Sequence, residues 1–394
     1  MRRAVIVIGC SYGDEGKGLA AAWAADRMGC KCLNVMINGG AQRGHTVDLR
    51  DGRRHIFHHF GSGALHGADT CADTDYIVNP AVFVREAADL KDTFGTEPKE
   101  YVSRYCRVTT PYDMMLGQII EENRGAKRHG SCGLGIQETR LRYLNTDWAL
   151  PWGALETIGE EAFRLYCRRI VLEYLPSRLA DLGMAADERW QAALKDEGLI
   201  VSAYRDLDAM RRTAAGYDRW EDLASGYGGL IFEAGQGLAL DAMNMRDFPY
   251  LTPSRTTSLV SARRIAALPG PTDARILYVT RSYLTRHGAG PLPGECPKDM
   301  IGPGIVDRTN VPNPHQQSLR YAPFDLEVVW ERVSADMKAA REVLPDISTA
   351  VMVTHLNETG RKLRGGAELE KLVSLFDRAY YSFDPYGADD VYPG

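Results

Sequence analysis

The sequence is poor in cysteine, with eight in 394 residues and no repeating spacing. That excludes a small disulfide-stapled secreted fold. Cys30 and Cys32 stand two apart, but no second pair completes a zinc site, and Cys296 stands alone in a Pro/Gly-rich stretch. The cysteines are therefore expected as small buried hydrophobes in a reducing compartment, the cytoplasm. Positive charge is not in surplus either: 47 Lys and Arg against 52 Asp and Glu leave a net charge of −5, which speaks against a nucleic-acid partner. No window reaches the ~18 uninterrupted apolar residues that a membrane span needs. The N-terminal Met-Arg-Arg followed by Ala4–Gly9 has the outline of a signal peptide. Its apolar stretch ends too soon, at Ser11-Tyr12-Gly13-Asp14, and reads as a buried first strand. No internal repeat or low-complexity tract is present, and 44% hydrophobic with 25% charged residues is globular composition.

What is there is a recurring short apolar run that ends in glycine or a polar cluster: Ala4–Gly9, Leu33–Ile37, Gly229–Glu233, Arg275–Thr280, Thr349–Thr354 and Arg378–Ser382. Runs this short and this apolar suit central strands covered on both faces. Helical patterns lie between them, in the Ala-rich Leu19–Met28 and in Asp325–Glu342, with Leu326, Val329, Val333 and Met337 at helical spacing. The pattern predicts an α/β fold, a large and mostly parallel central sheet with helices on both faces. Residues 1–394 read as one large domain. Residues 155–226, rich in Ala, Arg, Leu and Glu, read as a helical insertion within it. Ligands of open parallel sheets sit beyond the carboxyl ends of the strands. Those ends carry Gly9–Gly18, Asn38–Thr46, Glu233–Gly237, Arg286–Gly290, Thr354–Asn357 and Ser382–Pro385, so one edge is the predicted site.

The first loop, Gly9-Cys-Ser-Tyr-Gly13-Asp14-Glu15-Gly16-Lys17-Gly18, is a near miss for the phosphate-binding P-loop: Ser11 holds a required glycine position and Gly18 follows the lysine. The physics survives the mismatch. Glycines let backbone N–H groups face an anion at a helix N-terminus, and Lys17 adds a point charge. Asp14 would repel phosphate unless it binds Mg²⁺ or takes a proton. The second loop, Asn38-Gly39-Gly40-Ala41-Gln42-Arg43-Gly44-His45-Thr46, places a histidine after flexible glycines, where it can meet a phosphate or a developing oxyanion.

Together the two loops resemble the adenylosuccinate synthetase family, and the likeness runs along nearly the whole chain. Gly130-Ser131-Cys132-Gly133-Leu134-Gly135-Ile136 is similar to that family's Gly-Thr-Thr-Gly-Arg-Gly-Ile. Phe232-Glu233-Ala234-Gly235-Gln236-Gly237 is similar to Phe-Glu-Gly-Ala-Gln-Gly, and Phe248–Ser254 to Tyr-Pro-Tyr-Val-Thr-Ser-Ser. Arg286-His287-Gly288-Ala289-Gly290-Pro291 is similar to Arg-Val-Gly-Ala-Gly-Pro.

The resemblance implies a two-step ligation. O6 of a purine nucleoside monophosphate is phosphorylated by a nucleoside triphosphate, and the amine of L-aspartate then displaces the phosphate. It casts Asp14 as the base that removes N1–H and His45 as the group stabilising charge at O6. Gly13, Glu15, Gly16, Lys17, Gly18, Gln42, Gly44, Thr46, Ser131, Cys132 and Gln236 become nucleotide and phosphate contacts. Asn357, Ser382 and Pro385 belong to the donor's base pocket, and Gly288, Ala289, Gly290 and Arg320 to the aspartate site. Mg²⁺ would be held by Asp14 and Gly44. A homodimer is implied, with Arg140 or Arg142 reaching the neighbour's nucleotide phosphate.

Four departures from the family pattern matter. The Lys-x-Asp that reads guanine is replaced by Thr354-His355-Leu356-Asn357, which costs a charge-assisted pair of ~1.5–3 kcal/mol. The arginine-dense aspartate loop becomes Asp307–Tyr321, in which Arg320 alone keeps an obvious role as a carboxylate fork. Asn-Ala-Gly-His becomes Gln42-Arg43-Gly44-His45, and the chain is shorter than typical members. These changes resemble the phage branch of the family, which joins aspartate to dGMP for 2-aminoadenine DNA. The expectation is therefore dGMP as substrate with ATP or dATP as donor, GTP being less favoured, in the host cytoplasm. The alternative is IMP with GTP; Asp14 does not decide between them, because both purines carry N1–H. The His55, His58, His59 cluster has no acidic or cysteine partner at metal-ligand spacing and is read as two core histidines and one exposed.

Overall fold

The computed structural model describes residues 1–305 and 318–391. The Asp307–Gln317 part of the altered aspartate loop lies outside the described residues.

One sheet is built from β1 (Arg2–Gly9), β2 (Cys32–Met36), β3 (Asp69–Ala72), β4 (Glu100–Ser103), β5 (Ala214–Tyr217), β6 (Gly229–Gly237), β7 (Thr272–Arg281), β8 (Ser348–Thr354), β9 (Arg378–Asp384) and β10 (Gly387–Val391). Their spatial order is β10-β9-β8-β7-β1-β6-β2-β3-β4-β5. Neighbours run parallel except β9 and β10, which pair antiparallel at the edge. The principal helices are α1 (Lys17–Met28), α2 (Pro80–Phe94), α3 (Pro111–Arg124), α4 (Ile136–Leu144), α5 (Glu197–Arg211) and α6 (Leu326–Val343). The six strands expected from the apolar runs are all present, with ends shifted by a few residues.

Both faces of the central strands are covered, which is why β1 carries no polar alternation. Ala4, Ile6 and Ile8 face Leu33, Phe232 and Ile276 and the apolar stripe Val329, Val333, Met337 and Ala340 of α6. Val7 points the other way, onto Ala20, Ala21, Ala24 and Ala25 of α1. Alanine brings α1 close to the sheet, and so sets the loop at its N-terminus against the strand ends. A further core closes under the helices around β4 and β5, where Phe163, Cys167, Leu207 and Met210 meet Phe83, Leu90, Tyr112 and Leu116. Residues 155–226 are not wholly helical: β5 lies within them and pairs with β4 at the sheet edge. Its short Ala-Ala-Gly-Tyr run has too little apolar content to stand out in the sequence.

Arg142 corrects an expectation. It is fully buried, with Nε and Nη2 each 2.7 Å from the Asp113 carboxylate and further donations to the Val108 and Trp148 carbonyls. It therefore braces α4 against α3 and cannot reach a neighbouring subunit. Arg140, half-exposed on the same helix, keeps that possibility. Asp113 also completes a capping box with Thr110 at the start of α3. Removing one partner of such a buried pair strands the other charge at a cost of about 3–5 kcal/mol. Asp113→Ala should therefore lower the unfolding free energy by that amount in denaturant titration, whereas Arg140→Ala should leave it unchanged.

Candidate active site

The glycine loops meet at the carboxyl edge of the sheet, around the N-terminus of α1. Gly16 caps that helix in the left-handed region, at φ 94°, and Gly18 allows the second loop to close on it. A Cβ at Gly18 would lie 2.7 Å from the Thr46 carbonyl oxygen. The neighbouring strand ends hold the first loop in place. The Thr354 hydroxyl donates to the Glu15 carbonyl at 2.9 Å, the Arg281 guanidinium donates to the Asp14 carbonyl, and Ala239 N–H donates to the Ser11 carbonyl at 2.9 Å.

Within the loop, Glu15 is turned inward. Its buried carboxylate accepts from Ser11 N–H at 2.6 Å and lies 3.4 Å from Lys17 Nζ. Lys17 is itself buried and donates to the Gly13 carbonyl. The Glu15 side chain is thus a loop fastener, and any ligand contact from that residue falls to its backbone. Asp14, by contrast, remains partly exposed, with Oδ2 3.7 Å from His287 Nε2.

The second loop leads into the antiparallel pair His45–Asp48 and Arg54–Phe57. His45 is buried with Nδ1 2.5 Å from Oε1 of Glu233, a fully buried carboxylate midway along β6, beside the end of β2. Glu233 also accepts from the Ser62 hydroxyl at 2.5 Å, from Ser62 N–H at 3.0 Å and from Asn34 Nδ2 at 2.8 Å. Nη1 of Arg43 lies 3.6 Å away. Burial alone would raise the pKa of Glu233, but Arg43 and then His45 and Ser62 outweigh it and hold the carboxyl well below its ordinary range. Burial is also the largest influence on His45, pulling the imidazole down to about 4 against the pull of Glu233. The pair is therefore an ionised carboxylate and a neutral imidazole whose Nδ1–H is donated, leaving Nε2 aimed away as an acceptor.

Five buried polar atoms in these two loops lack a hydrogen-bond partner: Ser11 Oγ, Gln42 Oε1, Arg43 Nη1, His45 Nε2 and Thr46 Oγ1. Buried polar groups are normally paired, so this cluster fits a polar ligand. Gln42 and Gln236 converge over Gly39, whose ideal Cβ position lies 3.0 Å from Gln42 Nε2 and 3.3 Å from Gln236 Oε1.

The remaining expected residues line the rim. Ser131 is exposed and Cys132 half-buried. Glu121 holds their loop by accepting from His129, Gly130 and Ser131 N–H. Gly288 abuts that loop, its ideal Cβ position lying 3.3 Å from the Gly130 carbonyl oxygen. Arg320 donates to the Gly288 and Gly290 carbonyls at 3.0 and 2.8 Å, and its fork already holds the Glu295 carboxylate. At the ends of β8 and β9, Asn357 and Pro385 are exposed, and the buried Ser382 hydroxyl donates to the Asp384 carbonyl at 2.8 Å. The Arg361 guanidinium stacks on the Phe383 ring at 4.5 Å. His55 and His59 are buried and His58 half-buried; carboxylates of Glu86 and Asp89 flank His55, and Glu100 faces His59.

Sequence reasoning assigned no role to Glu233, Arg43 or His287. The available signals were a lone acid at the end of an otherwise apolar strand, and a histidine where the resembling motif carries valine.

Comparisons with known proteins show the family of the chain. The family model for adenylosuccinate synthetase matches residues 6–310. Adenylosuccinate synthetase of Stenotrophomonas maltophilia is 29% identical over 317 residues, covering 78% of this chain and 68% of that one. The Microcystis aeruginosa enzyme is 28% identical over 304 residues, 74% of this chain and 62% of that one. Among solved structures, fully ligated adenylosuccinate synthetase from Plasmodium falciparum superposes with a TM-score of 0.65 at 19% identity, over 90% of this chain and 77% of that one. Cyanophage S-2L succinoaminodeoxyadenylate synthetase, bound to dGMP and dATP as an energy donor, gives a TM-score of 0.60 at 16% identity, over 98% of this chain and 94% of that one.

Because the imidazole of His45 binds its proton only near pH 4 when folded but near 6.5 when unfolded, stability should fall with acidity. The loss begins as pH drops below about 6.5 and grows to about 3 kcal/mol by pH 4. The depressed Glu233 acts in the same sense at lower pH. Denaturant titrations between pH 7 and 4.5 should show this slope, and His45→Asn should flatten it.

Proposed function

The chain belongs to the adenylosuccinate synthetase family, a family of carbon–nitrogen ligases, and we propose that it joins L-aspartate to C6 of dGMP with ATP or dATP as the phosphoryl donor. In this reading Asp14 removes N1–H from the purine, so that the exocyclic O6 becomes nucleophilic enough to attack the γ-phosphorus. The bond to the leaving diphosphate breaks, and the amine of aspartate then displaces phosphate from C6. His45, held in one tautomer by Glu233, meets O6 and the transferred group through Nε2; phosphate charge nearby raises its affinity for a proton, so that it becomes a donor there. Lys17 exchanges the Gly13 carbonyl for donor phosphate oxygens. One partly exposed carboxylate, Asp14, and the carbonyl of the exposed Gly44 are a donor set that magnesium accepts when phosphates and waters supply the rest. Bound there, Mg²⁺ would neutralise charge on the triphosphate.

Gly288, Ala289 and Gly290 form the aspartate site, with the substrate carboxylate replacing Glu295 in the fork of Arg320. A homodimer, with Arg140 reaching the partner's nucleotide phosphate, completes the proposal.

One observation carries the choice of nucleotides: the missing carboxylate at the donor base. Guanine is read by an acid that accepts from N1–H and N2–H together. Here Asn357 stands at the end of β8. Of the nearby acids, Glu358 accepts from the Tyr283 hydroxyl at 2.6 Å and Asp384 from Tyr386 N–H at 2.8 Å. An adenine donor fits such a pocket. It also avoids cross-occupancy when the substrate is itself a guanine nucleotide. IMP with GTP is the second reading, favoured by the names of the relatives that share 28–29% of their residues with this chain.

Purified protein given Mg²⁺, L-aspartate and ATP should consume dGMP and release phosphate, and should leave IMP untouched; turnover of IMP alone overturns the proposal. Asn357→Asp restores the acceptor and should shift the ratio of kcat/KM for GTP over ATP upward by roughly tenfold or more, read in parallel phosphate-release assays.

A further inference from the structure

The opposite rim of the sheet gathers three sulfur atoms that the proposed reaction does not use. α1 ends at Met28, Gly29 turns the chain at φ 59°, and β2 begins at Cys32. Parallel pairing sets Cys32 beside Gly229 of β6. Because Gly229 has no side chain, the sulfurs close over it. The position its Cβ would take lies 2.7 Å from Cys32 Sγ, 3.2 Å from Cys30 Sγ and 3.2 Å from Met28 Sδ. Met28 and Cys32 are buried whereas Cys30 is exposed, and both cysteines are free thiols. The cluster therefore has a dry base and one side open to solvent. The Arg3 guanidinium lies 3.9 Å from Cys30 Sγ.

The Cys30–Cys32 spacing alone lacks the second cysteine pair of a zinc site. The fold supplies a different third ligand, a thioether. Among the described residues no three His, Cys, Asp or Glu side chains are placed to hold a metal, so the sulfur set is chemically distinct from anything a carboxylate or imidazole cluster would offer. Sulfur-only ligation of low coordination number suits a soft monovalent ion, and it is poorly matched to Zn²⁺ or Mg²⁺.

We infer that Met28, Cys30 and Cys32 form a binding site for Cu(I), with two thiolates and one thioether as ligands. Binding releases one proton from each thiol and involves no change of oxidation state. The ion ties the last residue of α1 to the first of β2, so it clamps the turn behind the helix that carries the glycine loop.

The test is anaerobic titration of the reduced full-length protein with Cu(I) against the coloured chelator bicinchoninate. One equivalent should be withheld from the chelator by the wild type and released by the double variant Cys30→Ser, Cys32→Ser. Met28→Leu should weaken retention by about tenfold or more, since even an outer-shell partner is worth that much. Gly229→Ala keeps all three sulfurs but fills the space between them, and should weaken it too. Zn²⁺ in the same competition should not be withheld. Circular dichroism of each variant keeps a folding defect separate from loss of a ligand. Equal retention by the wild type and the double cysteine variant assigns the metal to other thiols and overturns the proposal. So does surrender of all Cu(I) by the wild type, or oxidation of Cys30 and Cys32 to a disulfide in place of metal uptake.

Discussion

The site depends on a carboxylate that water does not reach. Glu233 is fully buried midway along β6, where an isolated charge would be prohibitively costly. Five donors meet that cost: the Ser62 amide and hydroxyl, the Asn34 amide, the His45 imidazole and, slightly farther off, the Arg43 guanidinium. The donors come from three separate parts of the chain, so satisfying one charge fixes β2, the second glycine loop and the turn around Ser62 relative to one another. The same arrangement decides the tautomer of His45. With Nδ1–H committed to Glu233, only Nε2 can face a ligand, and its direction is set by a bond inside the core rather than by the mobile edge of a loop.

A common theme runs through the charged groups around the site. Lys17 holds the Gly13 carbonyl, Arg320 holds Glu295, and Glu15 holds the Ser11 amide. The cations are thus satisfied by protein groups. In the two loops the hydroxyls, the amide oxygen, the imidazole nitrogen and Nη1 of Arg43, which faces Glu233 at 3.6 Å, make no hydrogen bond. On the proposed reading, ligand binding is an exchange: phosphate and carboxylate oxygens replace the Gly13 carbonyl and Glu295, while the orphan atoms gain their first partners. Exchange of this kind keeps cations from collapsing the pocket or being left bare, and it makes the affinity a difference between two sets of hydrogen bonds.

The fold was legible because both-face burial leaves a strong trace. Val5-Ile6-Val7-Ile8 and Thr349–Thr354 are apolar on both sides, and only a covered strand tolerates that. β5 left no such trace: Ala214–Tyr217 is short and lies at an edge, where packing on β4 rather than its own composition decides its conformation. The glycine loops could be placed from the sequence because their positive φ angles and close approaches demand glycine. Side-chain partnerships could not. Nothing local distinguishes Arg142, locked on Asp113 across 29 positions, from Arg140 two residues earlier. Glu233 and His45 are 188 positions apart, and their pairing exists only once β6 and the second loop are side by side.

The departures from the family pattern fall mainly on the donor pocket and the aspartate loop, with one more beside His45 at Gln42 and Arg43. On the proposed reading Asp14, His45, Lys17 and Gln236 serve the phosphorylation of a 6-oxopurine, and the fold holds their loops through core contacts. The donor pocket and the aspartate loop differ instead, at Asn357 and around Arg320. Such a distribution is what selection on partner identity leaves behind when the bond-making steps stay constant. N1–H abstraction and attack of O6 on phosphorus are the same for any 6-oxopurine, so the central residues carry no information on which purine is bound. Discrimination has to lie where the ligands differ chemically. On the proposed reading that difference at the donor base is one carboxylate, and its replacement by the amide of Asn357 removes the strongest single preference for guanine while leaving the adenine edge without a repelling charge.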